Sequence, residues 1–448
     1  MRAPNDWGFI ADDLTGAALV GGKLANAGLR VVVATSVDGV LDLVGSRGSE
    51  GSIVGVCTDT RNADAHTARA AVERAVTALV QLGRRRVFKF VDSSLRGQVG
   101  EELAAIAVAL GAQDYLVVPG TPTAGRAVSG GVILVEGVPA QLSPLLENEL
   151  LARLQSSDVE HLFSVPGVAT ARSVPVEEWS EDAFWAESNA RTIAGEGSLL
   201  REDLGVEVLD APDEASFRAV SHFLEATPRG RRLDLLCGAV GLAEVWAVLL
   251  ARSLGAGGPS IDGPGSSETG SRIPASGLPV IVVNGSASPA ALKQVDYLTR
   301  RGVGLTRRPV RVDVTPDLIE SSAAGLLAMM HESGSAVLSA PRPTAGGVDG
   351  AAARRLPDQI AEVVKLLVES LATAGGKCGL VLVGGMTAAT VLRRIGIGRL
   401  VPLYEAGFVT LCRVEPTVGP IEVVALKGGA SGDEAVLESV VSRLQAGV

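Results

Sequence analysis

The chain alternates short apolar runs with longer segments whose apolar residues recur at helical spacing. The runs at 7–11, 31–35, 53–57, 87–91 and 115–118 read as strands. Between them, 65–82 and 101–110 carry Ala, Leu and Val in a helical stripe. Such alternation predicts βαβ units and a mainly parallel sheet. The runs 206–209 and 233–236 extend the same unit. No clean period runs from 145 to 204, and its acidic part, 177–187, reads as a solvated helix face. At 255–277 the pattern breaks into GAGGPSIDGPGSSETGSRIPASG, a linker composition. Alternation then restarts, with strands at 278–283, 380–383 and 421–426, each followed by glycine and a helix-like segment. The predicted architecture is α/β with two domains, 1–254 and 278–448, joined by that linker. Each would hold a mainly parallel sheet flanked by helices, with the active site in the cleft between them.

Composition narrows the class. Of 448 residues, 47% are hydrophobic and 20% charged, enough for a large core. Aromatics are 3%, so that core is Ala, Val and Leu. A net charge of −10 argues against nucleic acid or an anionic membrane as partner. It leaves room for an anionic small molecule held by a local Arg/Lys cluster. Cys57, Cys237, Cys378 and Cys412 form no CxxC and read as buried free thiols. The N-terminus lacks an apolar signal core, and no apolar run is long enough to span a bilayer. These features lead to the expectation of a cytoplasmic protein. The mean hydropathy of +0.31 adds the expectation of a homodimer.

Four strand ends in the first half carry polar residues of complementary type. They are Asp12 and Asp13 in IADDLTGA; Thr58, Asp59, Thr60 and Arg61; KFVDSSLRG from Lys89 to Gly97; and PGTPTAGRAVSGG from Pro119, containing Arg126. Strand ends of a parallel sheet open on one edge, so these groups can converge. Arg61, Lys89, Arg96 and Arg126 would supply cations, and Asp12, Asp13, Asp59 and Asp92 carboxylates. Guanidinium forks suit a carboxylate, and aspartates accept from sugar hydroxyls, so the mixture suits a small polyhydroxy acid. Alternatively, each is a separate helix cap or surface ion pair. Lys89 interrupts an apolar strand and must snorkel or find a carboxylate.

The second half repeats one device. NGSASP from Asn284, GGMT from Gly384 and KGGASGDE from Lys427 each follow a strand and precede a helix pattern. Backbone N–H groups at such turns, aided by the helix dipole, bind anions. Three of them point to a phosphate-bearing ligand, with Lys427 as a point charge. There is no GxxxxGK[ST], no convincing GxGxxG and no GxSxG. His66, His161, His222 and His331 are dispersed and show no metal-binding spacing, so no metal ligand is assigned.

Together these motifs resemble the four-carbon acid sugar kinase family, nearly end to end. IADDLTGA is similar to its opening motif, and DSSLRG, preceded by Lys89, to its DSTLRG element. The loop ending at Arg126, CGAVGLA from Cys237 and NGSASPAALKQ from Asn284 match further family segments. The resemblance implies ATP-dependent phosphorylation of a tetronate or 3-oxo-tetronate, with Mg²⁺ bridging the nucleotide phosphates. It places Asp12, Asp13, Lys89, Asp92, Ser93 and Arg96 on the substrate side. It places Ser286, Gly384, Gly385, Thr387, Lys427, Gly429 and Gly432 on the nucleotide side. Lys89 and Arg96 would grip the substrate carboxylate, with Asp59, Arg61 and Arg126 lining the pocket. Asp12 or Asp13 would orient the attacking hydroxyl and take its proton. Two departures fall on the nucleotide side: Met386 replaces an acidic residue, and KGGASG replaces KSGNFG. They sustain a second expectation, a non-catalytic acid-sugar-binding or regulatory protein. A third, a nicotinamide-dependent oxidoreductase, lacks its glycine fingerprint.

Overall fold

The computed structural model describes residues 4–44, 49–112, 115–146, 154–175, 178, 204–226, 233–253, 277–301, 305–306, 316–340 and 350–446. The linker expected at 255–277 lies outside the described residues except for Gly277, and so does most of the acidic stretch 177–187.

The first half contributes β1 (Trp7–Ala11), β2 (Val31–Ala34), β3 (Ile53–Cys57), β4 (Arg86–Phe90) and β5 (Tyr115–Val118). A small antiparallel unit follows, β6 (Arg126–Ser129), β7 (Val132–Val135) and β8 (Val138–Pro139). Then come β9 (Ala169–Pro175), β10 (Leu204–Asp210) and β11 (Leu235–Gly238). The second half adds β12 (Val280–Asn284), β13 (Leu305–Thr306), β14 (Ser335–Ser339), β15 (Cys378–Val383), β16 (Arg399–Ala406), β17 (Val409–Val418) and β18 (Ile421–Lys427).

Fifteen of these strands form one sheet, in the order β13-β14-β12-β15-β18-β17-β16-β2-β3-β1-β4-β11-β5-β10-β9. Two separate sheets were expected. Instead, antiparallel β16 pairs with β2 at Arg399↔Ala34 and Leu400↔Val33 and joins the halves. The β16–β17 hairpin is invisible to a βαβ reading because it returns antiparallel onto β18. The stretch from Pro119 read as a loop, but it contains β6, paired with β7 from Arg126↔Val135 to Ser129↔Val132. Gly130 and Gly131, both at positive φ, turn the chain there.

β1 lies between β3 and β4, with Ala11 opposite both Cys57 and Phe90. The chain leaves β1 toward β2 and β3 on one side and then crosses to β4 on the other. That reversal of strand order is where open α/β sheets leave a crevice at the strand carboxyl ends. The helices at Leu14–Asn26 and Val240–Ser253 cover one face. There Trp246 stacks on Phe88 at 4.7 Å and meets Trp7 edge-on at 5.5 Å. Trp7, Phe88 and Trp246 concentrate the scarce aromatics in one cluster. The four cysteines are free and buried. No described helix is long and apolar enough to cross a membrane.

Candidate active site

Three strands around the crevice lead into charged residues. β1 runs into Asp12 and Asp13, β3 into the 58–61 turn, and β4 into Asp92. Asp13 is the N-cap of helix Leu14–Asn26: its Oδ1 accepts from Gly16 N–H at 2.9 Å and from the Thr15 hydroxyl. The cap uses only one of its two carboxylate oxygens. Its Oδ2 takes no hydrogen bond from the described residues.

Arg61 is the hub. Its Nε and Nη2 fork onto Asp12 at 3.0 and 2.9 Å. Its Nη1 stands 3.6 Å from Asp13 and 3.9 Å from Asp92. Burial works against the guanidinium charge, but Asp12, Asp13 and Asp92 together raise its pKa well above the usual value. Arg96 forks onto Asp92 with two bonds of 2.8 Å. Burial pushes Asp92 up, yet Arg96 and Arg61 outweigh it and hold the carboxyl well below the usual range. Adjacent carboxylates are thus neutralised by two arginines, which removes the cost of crowding them. Ser93 is half-buried on the same turn.

Lys89 sits elsewhere than expected. Its side chain is 0% exposed, and its ammonium bonds Glu102 at 2.6 Å and the Phe90 carbonyl at 2.9 Å. Its ammonium is thus turned to a buried carboxylate of its own chain. Burial lowers its pKa, but Glu102 and Asp12 overcome this and keep it charged. Arg126 is not brought to the cluster either. Its bonds run within its own hairpin, to Ala124, Gly125 and, at 3.3 Å, Glu136. Asp59 turns outward to Arg393 of the second half at 3.2 Å. It lines a crevice of about 460 Å³ with Asp38, Arg74 and Arg393 that reaches neither Asp12 nor Asp13.

The three glycine turns of the second half touch one another. A Cβ on Gly285 would lie 1.8 Å from Thr387 Oγ1, and one on Gly429 would lie 2.2 Å from Ser286 Oγ. Ser288 caps helix Pro289–Arg300 and donates to the Gly429 carbonyl at 2.7 Å. Gln294 donates to the carbonyls of Ser431, Gly432 and Asp433 at 2.9–3.0 Å, so it sets the shape of the last turn. Gly384 has φ 100°, which favours glycine, and begins helix Gly385–Arg394 without a side-chain cap. Lys427 is fully buried, bonds only the Gly428 carbonyl at 2.7 Å, and has no carboxylate partner among the described residues. Burial lowers its pKa to about 8.

The two constellations meet. Asp13 Oδ2 lies 1.5 Å from where a Cβ on Gly385 would stand, and Thr15 Oγ1 lies 4.0 Å from such a position on Gly428. Met386 approaches Asn62 of the first half, Nδ2 to Sδ at 3.9 Å. Among the described residues no three His, Cys, Asp or Glu side chains gather as a metal site. Glu102 was not singled out in the sequence, Thr60 only as one of the strand-end polar residues, and Ser288 and Gln294 only as members of the NGSASPAALKQ segment. Only the demand of Lys89 for a buried carboxylate signalled Glu102.

Family models described as a sugar-binding N-terminal domain and a nucleotide-binding C-terminal domain match residues 7–246 and 281–437. The chain is 30% identical to a D-threonate kinase of Cupriavidus necator over 449 residues, covering 96% of each protein. The chain belongs to the four-carbon acid sugar kinase family. Another relative in this kinase family, a 3-oxo-tetronate kinase of Methylobacterium radiotolerans, is 27% identical over 442 residues, 95% of this chain and 96% of its own. A solved structure from Salmonella typhimurium LT2 superposes with a TM-score of 0.72 at 20% identity, covering 98% of this chain and 99% of its own. One from Haemophilus influenzae gives 0.67 at 19%, covering 98% and 100%. Both bear on the fold of this family member and on nothing finer.

Proposed function

We propose that the protein transfers the terminal phosphoryl group of ATP to a hydroxyl of a four-carbon acid sugar, a tetronate or 3-oxo-tetronate. One observation carries this: the single open carboxylate oxygen of the cluster, Asp13 Oδ2, abuts the uncapped start of helix Gly385–Arg394. An acceptor for a hydroxyl proton thus faces an anion-binding helix end.

The residues divide the work. Arg61 Nη1 is too far from Asp13 and Asp92, at 3.6 and 3.9 Å, to bond either well, so its protons serve the substrate carboxylate. Asp92 orients Arg96, with Ser93 on the same turn beside the sugar acid. Asp12 fixes Arg61, and Asp13 Oδ2 orients the attacking hydroxyl and receives its proton. On the other side, Gly384, Gly385, Thr387, Ser286, Gly429 and Gly432 shape the phosphate cradle. Lys427, a buried ammonium without a counter-ion among the described residues, fits a phosphate oxygen; burial without one is costly. Mg²⁺ would lower the charge on the phosphates, held by them and by water, since Asp12 and Asp92 are already forked by arginines. Phosphoryl transfer asks chiefly for positioning and charge neutralisation, which this set supplies.

The substitution at Met386 favours a second reading, an acid-sugar-binding protein that no longer uses ATP; the unpartnered Lys427 favours the first. An ADP-release screen over a ladder of aldonates from glycerate to gluconate tests both. Turnover confined to tetronates is expected. No turnover, with no calorimetric Mg-ATP binding at millimolar concentration, would replace the kinase by the binding protein.

A further inference from the structure

Beneath the arginine hub lies a fully buried ion pair that the proposed chemistry does not use. Glu102 opens helix Val99–Leu110 with its side chain 1% exposed, its Oε2 2.6 Å from Lys89 Nζ. Its other oxygen accepts from the Thr60 hydroxyl. Thr60 Oγ1 also lies 2.7 Å from Thr58 Oγ1. The Thr60 and Arg61 N–H groups donate to the Asp12 carbonyl at 2.9 and 3.2 Å. Between these threonines, Asp59 stands at φ 54°, in the left-handed region that Asp enters more readily than most side chains. The 58–61 turn is therefore tied down at one buried point, and Arg61 is its last residue.

A buried charge pair is weak evidence for stability, since an apolar pair of similar volume often does as well. A polar network that is satisfied throughout does, however, fix one geometry. We propose that Glu102 is a positioning residue: through Thr60 it sets the 58–61 turn, and through the turn it sets the Arg61 guanidinium toward Asp12 and the sugar acid. Lys89 holds Glu102 in place, its ammonium 2.6 Å from Oε2. The inference rests on the kinase reading for its kinetic consequence and on geometry alone for its structural one.

Two variants test it. Thr60→Val removes the hydroxyl and leaves Lys89–Glu102 intact, so it folds even if Glu102→Met does not. KM for the tetronate is expected to rise about tenfold in Thr60→Val, with KM for ATP within about twofold of wild type. Thr60→Ser, which restores the hydroxyl, recovers the wild-type value. A crystal structure of Thr60→Val is expected to show the Arg61–Asp12 fork, 2.9 Å in the native chain, opened. An unmoved fork overturns the proposal, as does an equal rise in both KM values. Should the wild type phosphorylate no aldonate, the kinase reading falls, while the fork in the crystal structure still decides the role of Glu102.

Discussion

The Asp13 carboxylate of the first half occupies the space a side chain would need on Gly385 of the second. Oδ2 lies 1.5 Å from the ideal Cβ position, so no other residue fits at 385 without displacing it. Gly385→Ala is expected to fold, since the clash is with the end of one side chain, and to lose about a hundredfold in kcat from the misplaced carboxylate. Asp13→Asn keeps the cap and removes the proton acceptor. Its turnover is expected to fall by about two to four orders of magnitude with an unchanged circular dichroism spectrum. Steady-state kinetics on both variants checks this.

Arg61 compensates three carboxylates at once, with 15% of its side chain exposed. Arg61→Met leaves Asp12, Asp13 and Asp92 short of a cation. The expected cost is about 3–5 kcal/mol in urea unfolding, the range for breaking a buried pair from one side. Arg96→Met breaks the Asp92 fork but leaves Asp92 within reach of Arg61, and is expected to cost less. The two denaturation curves decide the ranking.

Lys427 carries a prediction in pH. Burial holds its pKa at about 8, below the ordinary lysine value of 10.5, so the proton is lost as pH rises through 8. A bound phosphate favours the charged form, so nucleotide affinity should be full below that pH and fall above it. Calorimetric Kd for Mg-ATP is expected to weaken about tenfold between pH 7 and 9. Lys427→Met binds more weakly and loses that slope.

Asp59 predicts a linkage in stability rather than in binding. Burial raises its carboxyl to about 6 despite Arg393, above its ordinary 3.8. The group favours the fold while protonated, and that contribution is lost as pH rises through 6. Asp59→Asn, which also tolerates a positive φ, removes the ionisation. Its urea midpoint should match wild type near pH 4 and exceed it near pH 7. The Arg393 contact it gives up is exposed at 63% and 37% and contributes little.

Several of these relationships were legible before any coordinates. The strands 7–11, 53–57 and 115–118 stand where their apolar runs put them, because a run of that length between turn residues has few other ways to be buried. The polar residues at their carboxyl ends follow from the direction of a parallel sheet. What failed in the sequence was partner choice. Lys89 announced that it needed a carboxylate, but nothing in the chain distinguished Glu102 from Asp12 or Asp92. Arg126 shares the composition of the other strand-end cations, yet it sits on a hairpin whose antiparallel return no βαβ pattern announces.

The amino-acid order by itself determined the α/β class, the two groups of chemistry and their separation along the chain, since these depend on local period and on turn residues. Only the tertiary structure decided that β2 and β16 fuse the halves into one sheet, that Arg61 is the hub, and that Asp13 meets Gly385. Those are contacts between residues far apart in sequence, 49 positions for Arg61 and Asp12 and hundreds for the other two. Their geometry is set by how whole strands and helices pack, and no short stretch of sequence encodes it.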